Sequence, residues 1–114
     1  MPMPIAEEER MDDIVTLATA RRLNLPEGRR SAEILRQGEV EFRFYAPVGR
    51  DDQTPHDQDE LYVVAAGRGK FRAGDTLTPF GPGDLLFAAA HEVHRFEDFT
   101  EDLALWVLFY GPRK

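Results

Sequence analysis

The sequence predicts an all-β barrel or sandwich, on three observations. From about Ser31 onward apolar and polar residues alternate, the alternating runs are short, and Gly, Pro or Asp bounds each one. Residues two apart on an extended chain point to the same side, so this alternation marks strands with one face turned to a core. Eight or so such runs, with turn signals every several residues, leave a sandwich or a closed barrel as the compact solution.

Taken in order, residues 1–10 read as a polar arm. MDDIVTLATARR then places Ile14, Leu17 and Ala18 at helical spacing behind candidate caps at Asp12 and Asp13, which predicts one short helix near 11–21. NLPEGRR, at 24–30, is rich in turn residues, and the chain is divided there into an N-terminal arm and helix (1–30) and a β domain (31–114). AEILRQ and EVEFRFYAP are expected to pair as a hairpin across Gln37 and Gly38. In the second of these, Val40, Phe42 and Phe44 form the apolar set against Glu39, Glu41 and Arg43. After the loop VGRDDQTP come LYVVAA, GKFRAG, TLTPF, DLLFAA, VHRFED and LALWVLFY, each read as a strand. In the last run Leu103, Leu105, Val107 and Phe109 fill one face and Ala104, Trp106, Leu108 and Tyr110 the other. Both faces need cover, by the N-terminal helix or by a second chain, and a homodimer is the preferred expectation.

Composition narrows the function classes. The 114 residues suit one domain, with 42% hydrophobic and 31% charged residues as in ordinary globular chains. A net charge of −7 and a pI near 4.9 disfavour the phosphate-neutralising surface that nucleic acids require, and disfavour anionic membranes. There is no Cys, hence no disulfide framework and no thiolate metal site. MPMPIAEEER lacks the apolar stretch of a signal peptide, so a cytoplasmic location is expected. GRGKFRAG has Arg72 where a Gly-x-Gly-x-x-Gly phosphate loop needs its third glycine. Arg68, Lys70 and Arg72 read as an exposed face, and Asp51, Asp52, Asp57 and Asp59 as a solvated loop face. With Ser31 the only serine, a nucleophilic triad has little material.

The stretch TPHDQDELYVVAAGRG departs from core patterning, because Thr54, His56, Gln58 and Glu60 occupy alternate positions and face one side of an extended chain. Polar residues on the inward side are poor core material and good site material. The chain here resembles the cupins, small double-stranded β-helix (jelly-roll) proteins. The resemblance rests on His56 four residues before Glu60, Gly67 seven after it in LYVVAAG, and PGDLLFAAAHEVHRF, which keeps Pro82, Gly83 and Asp84 and has His94 in the histidine position. It covers roughly residues 40–110. Thr54 stands where the family's first histidine would be, and Ala89, Ala90 and His91 replace its Pro-x-Gly turn.

The resemblance implies a cupin-type jelly-roll barrel and one divalent transition metal (iron, zinc, manganese or nickel) on His56, Glu60 and His94. Imidazole and carboxylate ligands suit all four ions, and three protein ligands leave positions for water or substrate. Gln58 and Thr54 are placed beside the ligands, Gln58 to orient one of them or a bound water, and His91 at the mouth of the barrel. The expected partner is a small-molecule substrate or ligand. A metal-dependent enzyme, oxygenase-type first and isomerase or lyase next, stands beside a non-catalytic ligand-binding or sensing module and a jelly roll whose ligand set has decayed. The sequence does not separate them.

Overall fold

The computed structural model describes residues 14–23, 31–51 and 53–114. The expected polar arm, the caps at Asp12 and Asp13, the 24–30 turn and Asp52 lie outside them. The described helix α1 is Leu17–Arg21, and its N-cap is Thr16, whose hydroxyl accepts from the Thr19 N–H at 3.1 Å. A threonine cap satisfies one of the backbone donors left free at a helix start.

Among the described residues eight strands follow: β1 Ser31–Gln37, β2 Val40–Tyr45, β3 Asp59–Ala66, β4 Gly69–Ala73, β5 Thr76–Phe80, β6 Leu85–Ala88, β7 His94–Glu97 and β8 Ala104–Tyr110. They form a five-stranded sheet in the order β1-β2-β8-β3-β6 and a three-stranded sheet in the order β5-β4-β7, antiparallel throughout. The fold is an all-β jelly-roll barrel with a short helix on its outer side. Pro79 is tolerated in β5 because that strand is a sheet edge and needs fewer ladder donors. No helix among the described residues is long and apolar enough to cross a membrane.

The main core lies between the sheets and contains Tyr45, Tyr62, Val64, Phe71, Phe80, Phe96, Leu103, Leu105 and Val107. A second cluster lies on the outer face of the large sheet, where Ala20 of α1 packs with Phe44 and Ala104, and with the half-buried Val15, Leu17 and Trp106. The helix therefore supplies part of the cover that Trp106 needs.

Two expectations are corrected here. On β2 the inward face carries Glu41, Arg43 and Tyr45, all buried, whereas Phe44 is buried on the outer face and Phe42 is 39% exposed. Alternation shows that a strand has two unlike faces; it does not show which one meets the core when both are partly covered. Asp51, assigned to a solvated face, is 5% exposed. Its Oδ1 accepts from the Tyr45 hydroxyl (2.5 Å) and the Gln53 N–H (3.2 Å), and its Oδ2 from Gln53 Nε2 (2.6 Å) and the Phe96 N–H (2.8 Å). Four donors replace the water that this carboxylate loses.

Turns fix how the strands enter the site. Gly67 follows β3 at φ +93°, where a Cβ would lie 2.6 Å from the Leu103 Cα, so the turn closes only without a side chain. Before β6, the Asp84 carboxylate accepts from the Gly81 N–H at 2.8 Å, which gives the Pro-Gly-Asp motif its physical role.

Candidate metal centre

Glu60 stands on the inward side of β3, and His94 opens β7 on the facing sheet. His56 comes from the loop before β3 and is held by its own backbone, since its carbonyl accepts from the His91 N–H at 2.6 Å. One ligand atom from each of the three side chains lies within 4.8 Å of the others. Glu60 and His94 are each 2% exposed, and His56 is half-buried at the cavity side.

Glu60 Oε1 lies 3.0 Å from His94 Nε2 and 3.9 Å from His56 Nε2. Among the described residues neither Glu60 Oε1 nor His94 Nε2 has a partner in hydrogen-bond geometry, although both are buried. At 3.0 Å the failure is one of direction: the oxygen is off the line on which the ring nitrogen would bond. On the opposite edge of the ring, His94 Nδ1–H donates to the Glu92 carbonyl at 2.9 Å. A carbonyl only accepts, so in neutral His94 the proton is on Nδ1 and the Nε2 lone pair faces the site. Two buried, unbonded electron-pair donors converging on one region are what a cation-binding centre requires.

Burial lowers the proton affinity of His56, opposed in part by the Glu60 charge. Burial also acts against protonation of His94, yet the Glu60 carboxylate beside it, with the Glu92 carbonyl and the Asp51 charge, outweighs that and raises its pKa. The Tyr62 phenol is pushed well up, by burial first and by the Glu60 charge next, so it stays protonated at neutral pH. Its hydroxyl donates to Gln53 Oε1 at 3.1 Å.

The centre opens into a cavity of about 690 Å³, within the range that holds small organic ligands. Thr54, His56, Gln58 and Glu60 all line it, as their alternate spacing predicts. Gln58 is not bonded to the ligand set. Its Nε2 donates to the Glu39 and Gly111 carbonyls, both at 2.9 Å, and so staples the start of β3 to the β1–β2 hairpin and the end of β8. Thr54 is exposed at the rim. His91 lies in the turn before β7 at φ +68°, exposed, with its Nε2 against the Lys114 carbonyl. Farther along the large sheet, on β1 and β2, the lining also includes Ser31, Glu41 and Arg43, which sequence reasoning missed. For Glu41 and Arg43 the only signal was the polar phase of EVEFRFY, set there against the apolar residues expected to face the core; Ser31 carried none.

The barrel and its internal group of two imidazoles and one carboxylate define a small jelly-roll protein with a site inside the strands. The chain belongs to the cupins: the family model described as Cupin domain matches residues 42–110. An uncharacterised protein of Streptomyces coelicolor is 34% identical over 82 residues, 70% of this chain and 78% of that protein. Among solved structures, a cupin superfamily protein of Desulfitobacterium hafniense matches with a TM-score of 0.66 at 15% identity, over 90% of this chain and 96% of that one. A protein of Thermus thermophilus matches with a TM-score of 0.60 at 25% identity, over 82% and 94%. The family has metal-binding members, and the His56, Glu60 and His94 group is compatible with that chemistry.

Proposed function

We propose that this chain is a metal-dependent cupin enzyme in which His56, Glu60 and His94 hold one divalent transition metal and the cavity holds a small organic substrate. The observation that carries the reading is the pair of buried, unbonded atoms, Glu60 Oε1 and His94 Nε2. Without a metal, the Glu60 carboxylate, at 2% exposure, is offset by protonation of His94 3.0 Å away; a bound cation supplies that charge and meets both atoms at once.

When bound, the ion polarises a substrate oxygen or activates dioxygen or water. The protein's own residues do the rest. Glu60 offsets one positive charge, and the Glu92 carbonyl fixes the tautomer of His94. Tyr62 keeps its phenolic proton beside the site and directs it at Gln53. Val107 and Phe109 form an apolar strip of the wall that excludes water. Two histidines and one carboxylate with open positions fit an oxygenase-type reaction first and an isomerase or lyase next. Two chains are proposed to associate through the outer sheet face.

Protein purified without added metal and then reloaded should carry one ion per chain by elemental analysis. Oxygen uptake over a substrate panel then separates oxygenase from isomerase or lyase chemistry. Equal, substoichiometric metal in wild type and in a His94→Ala variant after the same treatment overturns the reading.

A further inference from the structure

We propose that the ligand of this cavity carries a carboxylate and that Arg43 receives it, an inference that rests on the metal-dependent reading above. Arg43 is on the inward face of β2, and its side chain is 6% exposed. Register places it across β8 from the centre: Arg43 pairs with Val107, which pairs with Tyr62, while Glu41 pairs with Phe109, which pairs with Glu60. The arginine and the β3 side of the centre are thus two strand spacings apart, roughly 10 Å. Between them the wall is the apolar strip of Val107 and Phe109.

A guanidinium has five N–H donors, and three are used. Nε donates to Ser31 Oγ (2.5 Å), Nη2 to the Ser31 carbonyl (2.7 Å) and Nη1 to Glu41 Oε2 (2.5 Å). Among the described residues this leaves one N–H on each Nη nitrogen with no acceptor within hydrogen-bond distance, Glu33 Oε1 standing 3.7 Å from Nη1, and two donors suit the two oxygens of a carboxylate. A phosphate dianion would need more. The contacts to Ser31 and Glu41 hold the guanidinium in place before any ligand arrives, which lowers the ordering cost of binding. Glu41 is shared with Arg36 (3.1 Å), and Glu33 lies 3.7 Å from Arg43, so the two arginines and two glutamates balance. A divalent cation exceeds the single charge of Glu60, and that excess draws an anion into the cavity. A buried ion pair is in general no more stable than apolar residues of like volume, so packing alone gives little reason for one on this wall. The ligand so defined has an oxygen-bearing head at the centre, a short apolar spacer over Val107 and Phe109, and a carboxylate on Arg43.

The test is calorimetric titration of metal-loaded protein with succinate, glutarate, adipate and glycerol 1-phosphate. At least one dicarboxylate should bind, and Arg43→Lys, which keeps the charge and loses the fork, should weaken it about 10-fold or more at unchanged metal content. The double variant Glu41→Gln/Arg43→Gln removes both charges together, so it leaves no buried charge unpaired and should bind as weakly. A fully loaded wild type that ignores all three acids, equal binding by Arg43→Lys, or a preference for glycerol 1-phosphate overturns the proposal. Failure of the metal reading is distinguishable: it appears as substoichiometric metal before any acid is added, and it removes this inference as well.

Discussion

At the residue scale, the behaviour of the centre follows from what surrounds Glu60 and His94. The two ligand atoms stand 3.0 Å apart outside hydrogen-bond geometry, and among the described residues the His94 ring makes its hydrogen bond on the far edge. His94→Ala should therefore reduce metal content from one ion per chain to a trace while far-ultraviolet circular dichroism keeps the β spectrum. Metal must displace protons, and the raised pKa of His94 makes it the ligand that protons occupy first as pH falls. His56, whose pKa burial lowers, is deprotonated already and does not limit loading. Equilibrium dialysis should show metal affinity weakening as pH descends below the raised value of His94, with loss of metal following at lower pH. The sign reverses for the metal-free fold. There the raised pKa stabilises the charged form, so the advantage of wild type over His94→Ala is complete below the unfolded value and declines as pH rises through the folded one. A melting-temperature difference between the two that grows with pH would contradict this assignment.

At the element scale, the loop between β2 and β3 depends on Asp51. This carboxylate joins Tyr45 at the end of β2, Gln53 in the loop and the Phe96 N–H of β7, two residues after His94, and so fixes the segment leading to His56 against the strand that carries His94. Asp51→Asn replaces one acceptor oxygen with a donor among donors and should cost about 3 kcal/mol of stability by chemical denaturation. Gly67→Ala should cost as much or more, about 3 kcal/mol, because the added Cβ meets backbone at 2.6 Å rather than a side chain able to move. These two positions differ in how far the sequence announces them. Gly67 sits at a motif position and at a strand end, so a special backbone was legible, as were the eight strands and the hairpin, whose turn falls on Gly38 (φ +60°) and Glu39, one residue on from the expected Gln37 and Gly38. His56, Glu60 and His94 were legible as a set through the resemblance of their two segments to the cupin motifs, and the fold brings their ligand atoms together. Asp51 was not, because nothing in VGRDDQTP sets one aspartate apart from the other polar residues until Tyr45 and Phe96 are brought to it from other strands. Arg43 was hidden for a related reason: the phase of β2 depends on a polar cavity that several separate segments build together.

At the scale of the whole molecule, the outer face of the large sheet sets the expected assembly. Register lines up Phe87, Leu61, Leu108 and Phe42 in one row, and Leu85, Val63, Trp106 and Phe44 in the next. Helix α1 packs over the Phe44 and Trp106 end of the second row. It leaves Leu85 at 64%, Phe87 at 50%, Val63 at 41% and Phe42 at 39% exposure, with no charged residue in either row. Apolar surface of this extent on a chain with net charge −7 is better covered by a like surface than by water, and a two-fold pairing covers the same rows on both copies at once. Sedimentation at micromolar concentration should give twice the 13.0 kDa of the chain. Leu85→Lys with Phe87→Lys places like charges opposite each other across the two-fold and should shift the species to the monomer, with an unchanged β spectrum because both side chains lie outside the core. A 13.0 kDa species for wild type under the same conditions would show that the exposed rows stay in water.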